Sequence, residues 1–316
     1  MSDREVSVIV VTYNQEGTIA RALDSILAQE CDFDFEIIVG EDGSSDGTRE
    51  ICCDYALRYP ERIRLLPEAP NKGVVDNYFD CLAVCRGEFV ADCAGDDYWP
   101  CQERMQSQRD FLRSNPSDVA VMSDWRIVEN GASVLSSQTE RYRKYACRSE
   151  GGEMMRRVMG AVNDFPLLSA MMFRRGVLKD VMACRGVDSV RRREWGCEDL
   201  PVIVALSSRG PFGYLPVEAT AYVVGESTVS NSRSEGALFD FYVKAATCLV
   251  DLIRIYSVDP DSVRGNLDSK ISYLAGLASS AFTPERYARL RMLAEEWPAA
   301  VPVKARLRLA FMRFRR

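Results

Sequence analysis

The chain contains no histidine among its 316 residues. That single absence removes Ser-His-Asp and Cys-His nucleophilic catalysis, HExxH zinc chemistry and phosphohistidine transfer. Two nucleotide motifs are missing as well. The first apolar run is followed by Thr12-Tyr13-Asn14-Gln15-Glu16-Gly17-Thr18 where GxGxxG would stand, and no GxxxxGK occurs. Dinucleotide redox chemistry and P-loop hydrolysis both lose ground. There is no CxxC, and without histidine a mixed Cys/His zinc site is excluded. No apolar stretch reaches the ~18 residues of a spanning helix. The opening MSDREVSVIVVTY carries charges and then a strand-length apolar run, which is not a signal-peptide pattern. Catalysis here must run on carboxylates, Lys, Tyr, Cys, Ser or a bound metal.

What is present fits a folded, water-soluble protein. The chain is 47% hydrophobic and 27% charged, enough for a sizeable core, and its length suits one large domain or two modest ones. Forty Lys and Arg against 46 Asp and Glu give a net charge of -6, which argues against a dedicated nucleic-acid binder. The 11 cysteines are odd in number and include the adjacent pair Cys52-Cys53, so free thiols in a reducing compartment are expected, and with them a cytoplasmic location.

The pattern along the chain is α/β. Val6–Thr12 is a continuous β-branched run, as expected of a strand buried on both faces of a largely parallel sheet. Ile19, Leu23, Ile26 and Leu27 follow at helical spacing. Strands are expected at Phe35–Val39, Ile63–Leu66 and Glu88–Cys93, with helices through Ile51 and Tyr55 and over Val75–Cys85. This β-α-β-α-β-α-β order indicates a doubly wound sheet, whose ligands sit beyond the carboxyl ends of the strands. Those ends carry Thr12-Tyr13-Asn14, Glu41-Asp42 and Ala94-Gly95-Asp96-Asp97. Further on, a helix is expected around Glu153–Met159 and a buried segment at Leu167–Phe173. Another helix opens at Asp199-Leu200-Pro201 and is ended by Gly210, with Pro and Gly in their usual places. The polar loop 226–236 is a candidate lid or boundary, and helices fill the remainder.

Two groups stand out chemically. Asp96-Asp97 follows a buried strand, and Mg²⁺ or Mn²⁺ sites often combine one or two carboxylates with substrate phosphates; a solvated turn would look the same. Asp42 lies in GEDGSSDGT, where turn chemistry alone also favours Asp, Ser and Gly.

Taken together, VSVIVVTYNQEGTIARALDSILAQ, IIVGEDGSSDGT, NKGVVDNY and FVADCAGDDYW resemble the family 2 glycosyltransferases in order and spacing. The resemblance runs from about Val6 to Ser230 and is most specific over its first hundred residues. It implies a GT-A fold, Rossmann-like with a mostly parallel central sheet flanked by helices, here with a C-terminal helical extension. The corresponding division is 1–235 as the GT-A domain, with 1–130 the nucleotide-binding half and 131–235 the acceptor-binding half. Residues 236–316 form the helical region with its basic tail. The resemblance also implies inverting transfer from a nucleotide-diphosphate sugar, expected to be UDP-linked, to a saccharide or lipid-linked acceptor in glycan or surface-polysaccharide synthesis.

By the same resemblance, Thr12, Tyr13, Asn14 and Glu16 line the base and ribose, and Asp42 hydrogen-bonds the base. Asn71, Gly73 and Asn77 lie beside the sugar nucleotide. Asp96 holds Mn²⁺ or Mg²⁺ on the diphosphate and Asp97 is the acid that follows it. Asp199, in Glu198-Asp199-Leu200-Pro201, falls on the catalytic base, although an Asp before Pro201 also suits a helix N-terminus. There, the helix dipole would favour the ionised carboxylate and lower its basicity.

Two departures stand out. Ala94 occupies the first acidic position of the DxD or ExD motif, and the YRxH segment reads Tyr222-Val223-Val224-Gly225. A non-catalytic sugar-nucleotide-binding scaffold is therefore an alternative. The tail Val301–Arg316 has Lys304, Arg306, Arg308, Arg313, Arg315 and Arg316 and no acid. It reads either as a helix packed on the domain or as a contact with an anionic membrane surface at its inner face, which leaves a peripheral membrane adaptor as the third reading.

Overall fold

A computed structural model describes residues 4–129, 131–135, 151–161, 166–184, 195–225 and 234–313. The expected loop 226–236 lies largely outside these residues. The chain divides into two compact units. The first takes residues 1–154, 166–184 and 205–223; the second takes 155–165, 185–204 and 224–316.

The first unit is built on an eight-stranded sheet of order β3-β2-β1-β4-β7-β5-β6, with β8 paired to β5. Strands β1 (Val6–Thr12), β2 (Phe35–Glu41), β3 (Ile63–Leu65) and β4 (Phe89–Asp92) pair in parallel. β7 (Met171–Arg174) runs antiparallel to β4 and to β5 (Ala120–Glu129), and β6 (Ala132–Leu135) antiparallel to β5. β8 spans Phe212–Val224. Every residue of β1 and β2 is buried, which is why both read as unbroken apolar runs. Helices α1 (Ile19–Leu27), α2 (Thr48–Arg58), α3 (Val74–Val84) and α4 (Arg104–Ser114) connect these strands. α1 turns Ile19, Leu23 and Ile26 inward, at the spacing read from the sequence. They join Val8, Val10, Ile37, Val39, Phe89 and Met105 in one core.

Five elements were not legible in the sequence: β5, β8 and α4, together with the strand β6 and the helix Arg175–Cys184. Buried Ser123 and Asp124 interrupt the apolar pattern of β5, and β8 alternates between buried stretches at Phe212–Gly213 and Ala219–Ala221, an exposed Pro216-Val217 and a half-buried end. α5 (Gly151–Met159), α6 (Arg175–Cys184) and α7 (Asp199–Ser207) complete the middle of the chain. The second unit contributes α8 (Glu235–Tyr256), α9 (Arg264–Ser280), α10 (Pro284–Glu295) and α11 (Val303–Met312). Ser234 and Thr283 cap α8 and α10 by accepting from the backbone N–H three residues on. α9 packs against α8, α10 and α11. Cys31, Cys52, Cys53, Cys81, Cys85, Cys93, Cys101, Cys197 and Cys248 are free thiols.

Candidate active site

The order β3-β2-β1-β4 reverses direction at β1, and the loops leaving β1, β2 and β4 gather at the carboxyl edge of that switch point. Their hydrogen bonds explain the local sequence. Asn14 takes the left-handed conformation, φ 51°, which Asn tolerates better than most residues. There its Oδ1 accepts from Ser45 N at 2.8 Å, while its own N–H donates to Ser44 Oγ at 2.9 Å. Glu16 Oε2 accepts from Gly47 N at 2.7 Å, and Gln15 N donates to Thr48 Oγ1 at 2.7 Å. Asn14 and Glu16 thus zip the β1–α1 loop to the β2–α2 loop. Tyr13, between them, is 48% exposed and presents its ring to solvent.

Asp42 is buried, and its carboxylate grips the next loop. Oδ1 accepts from Lys72 N at 3.0 Å and Oδ2 from Gly73 N at 2.9 Å. The Asn71 side chain donates to the Asp42 carbonyl at 2.9 Å. Gly73 sits at φ 88°, a conformation an L side chain would strain, and begins α3. One turn on, buried Asn77 donates from Nδ2 to Gly40 O at 2.6 Å. Asp42, Asn71, Gly73 and Asn77 are therefore one connected group at the end of β2.

The third loop carries the acidic pair, and its two carboxylates face different surroundings. Asp97 is 1% exposed; its Oδ2 accepts from Ser169 Oγ at 2.8 Å and its Oδ1 from Val223 N at 3.0 Å. It ties the loop to β8 and to the 3-10 turn Leu168–Ala170. Asp96 is half-buried, and burial raises its carboxyl above the usual range, opposed by its own backbone N–H, a hydrogen bond from Gln15 and the charge of Arg21. Arg21 holds the loop from α1, donating to Asp96 O at 3.2 Å and lying 4.5 Å from the Tyr98 ring centroid. Gly95 packs so closely that an added Cβ would come within 2.8 Å of the Thr12 side chain. Thr12 itself is buried and donates to Gln15 Oε1 at 2.8 Å.

Among the described residues, no three Asp, Glu or Cys side chains gather as a metal ligand set. Both oxygens of Asp97 are engaged and Ala94 offers none, which leaves Asp96, held by Gln15, as the candidate ligand of this loop. Mg²⁺ commonly binds through one or two carboxylates together with substrate phosphates. The donor set fits a divalent ion shared with a diphosphate.

Asp199 belongs to the second unit. It is the first residue of α7, half-buried, and burial pushes its carboxyl up to about 6. Burial acts here against the helix N-terminus, which would favour the ionised form. The segment before it is firmly seated: Trp195 Nε1 donates to Asp251 at 3.2 Å, and a Cβ on Gly196 would meet Lys244 Cβ at 2.9 Å.

Several supporting residues escaped the sequence reading. Gln15 could have been found, since it sits inside TYNQEGT. Ser169 and Val223 could not: they lie 72 and 126 positions from Asp97. Arg104 is 1% exposed and, among the described residues, donates to the neutral acceptors Gln108 Oε1, Thr220 Oγ1 at 2.9 Å and Met171 O. It braces the same three segments from below, with its guanidinium 3.9 Å from the Trp99 ring centroid.

The sequence matches glycosyl transferase family 2 over residues 7–182, more than half of the chain. The protein belongs to that family, and its first unit has the GT-A fold. An uncharacterised protein of Mycobacterium tuberculosis is 38% identical over 128 residues, 40% of this chain and 37% of its own length. The Escherichia coli UDP-Glc:alpha-D-GlcNAc-diphosphoundecaprenol beta-1,3-glucosyltransferase WfgD is 30% identical over 134 residues, 42% of this chain and 51% of its own length. The matched segments thus span at most about half of these relatives. Among solved structures, S. aureus TarS 1-349 in complex with UDP-GlcNAc superposes with a TM-score of 0.66 at 21% identity, covering 98% of this chain and 87% of that one. The mannosyltransferase PcManGT from Pyrobaculum calidifontis, in complex with GDP-Man and Mn2+, gives 0.53 at 17% identity, covering 99% and 86%.

Proposed function

We propose that the protein is an inverting glycosyltransferase that moves a sugar from a UDP-sugar to a hydroxyl of a saccharide or lipid-linked acceptor in surface-polysaccharide synthesis. The observation that carries this reading is the gathering of the Thr12–Glu16, Asp42, Asn71–Asn77 and Asp96 segments at the switch point of a family 2 chain. Residues 1–130 would hold the donor, 131–235 would receive the acceptor, and 236–316 would be an appended region reaching an anionic membrane surface. WfgD, which uses UDP-Glc and a diphosphoundecaprenol acceptor, supports both the UDP and the lipid-linked assignments.

Each residue has a role its surroundings suit. The Tyr13 ring is free to lie against a base. An ionised carboxylate has about four acceptor sites, so Asp42 can hold the Lys72 and Gly73 amides and still accept the imide N–H of uracil. Asn71, Gly73 and Asn77 would border the sugar. Asp97 would fix the loop on which Asp96 stands. Asp96 would hold Mn²⁺ or Mg²⁺, which when bound offsets the charge developing on the departing diphosphate.

Asp199 would take the proton of the acceptor hydroxyl as that oxygen attacks the anomeric carbon opposite the diphosphate. A base raised to about 6 remains mostly ionised near neutrality while being a better proton acceptor than an ordinary Asp. The test is turnover of a UDP-sugar panel with and without Mn²⁺, followed by the anomeric configuration of the product. Nucleotide binding without hydrolysis or transfer would instead establish the scaffold alternative, which Ala94 motivates.

A further inference from the structure

The sequence left the basic tail as either a packed helix or a membrane contact, and α11 has the surfaces for both. Its inner side is Ala305 and Met312, both buried, with Leu309 half-buried beside them. This side rests on α9, where Arg308 donates to Ser272 O at 3.3 Å. The outer side is apolar too. Val303 is 62% exposed, Leu307 65% and Phe311 64%. At about 100° of turn per residue these three positions form one stripe, opposite Ala305 and Met312. The same rotation puts Lys304 and Arg308 along one edge of the stripe and Arg306 and Arg313 along the other.

We infer that the outer face of α11 is a preformed docking surface for an anionic lipid bilayer, with Val303, Leu307 and Phe311 entering the acyl boundary and the basic residues meeting lipid phosphates. A large apolar stripe flanked by cations is the pattern of interfacial helices. The basic residues are a local feature, since the whole chain carries a net charge of -6 and this helix contains no acid. A second copy of the chain is a poor occupant. A two-fold contact would set the same patch against itself and bring two sets of four cations together around three apolar side chains. Because the helix is already ordered on α9, docking would not carry the cost of folding it. The inference extends the membrane reading of the tail and is independent of sugar transfer.

The test uses the full chain and vesicles of phosphatidylglycerol with phosphatidylcholine, against phosphatidylcholine alone. The protein should float with the anionic vesicles at low salt, and flotation should fall as salt rises. Each basic residue near such a surface is worth about fivefold in partition, so Arg306→Gln with Arg313→Gln should weaken binding roughly twentyfold. Leu307→Glu with Phe311→Glu should weaken it at least about tenfold with an unchanged melting temperature, since both side chains point away from the core. Equal flotation of the wild type and the Leu307→Glu, Phe311→Glu variant would overturn the inference. So would a wild type that stays in solution, or one whose mass doubles with concentration through this face without floating.

Discussion

At the scale of single residues, Asp199 and Asp42 each combine two demands that pull apart. Burial raises Asp199 to about 6, so its charge is unfavourable in the fold. The folded state then holds the proton more tightly than the unfolded chain, and the Asp199 contribution to stability falls as pH rises from about 4 to 6. Asp199→Asn removes that charge. The variant should melt no lower than the wild type at pH 7.5, while transfer falls by roughly 10²–10⁴-fold. In the wild type the rate should rise through pH 6 and level off above it, because the base must be ionised. Near-normal turnover of Asp199→Asn would move the role to Glu198. Asp42 serves the fold through its carboxylate, which accepts the Lys72 and Gly73 amides. Asp42→Ala should weaken UDP binding roughly ten- to a hundredfold by calorimetry, since a hydrogen bond to a charged group is worth about 1.5–3 kcal/mol. It should also lower the melting temperature, because the Lys72 and Gly73 amides lose their acceptor. A stability loss with UDP affinity intact would leave Asp42 as a loop anchor only.

At the scale of elements, the loop after β4 shows how far a sequence carries a reader. β1, β2 and their loops are legible because their constraints are local: continuous burial gives an unbroken apolar run, and Asn14, Glu16 and Asp42 meet partners from neighbouring connections. The Asp96-Asp97 pair is legible as a motif, but the division of labour within it is not. The chain returning through Ser169 and Val223 engages Asp97, while Asp96 is held by its neighbours Gln15 and Arg21. Buried Arg104 and Ser123 are invisible for the same reason: their partners are distant in sequence, so a polar residue in a core position looks like an interruption. On this arrangement Asp96→Ala should abolish any gain in UDP affinity on adding Mn²⁺. Ala94→Asp should increase that gain, because it returns a second carboxylate to the half-buried position two residues before Asp96. A metal titration unaltered by both changes would mean that the loop is a structural turn.

At the scale of the whole molecule, the residues proposed to hold the donor belong to the first unit and Asp199 to the second. Sequence order conceals this, because residues 185–204 are assigned with the C-terminal helices while residues 205–223 return to the sheet. The fold of the first unit says little about which donor is used, since the solved structures it resembles contain UDP-GlcNAc in one case and GDP-Man in another. Ligand linkage can decide it without knowledge of the acceptor. A ligand that binds only the folded state adds about 2.7 kcal/mol at a hundredfold excess over its Kd, which for a unit of this size raises the melting temperature by several degrees. With Mn²⁺ present, UDP-sugars should produce that shift and CDP-sugars should not, because uracil would offer Asp42 an imide N–H where cytosine has only an acceptor nitrogen. The shift should disappear in Asp42→Ala and persist in Asp199→Asn, which separates binding from chemistry on the same instrument. Equal shifts from UDP- and CDP-sugars would rule out Asp42 as the residue that selects the base, even if the protein proved to be a competent transferase.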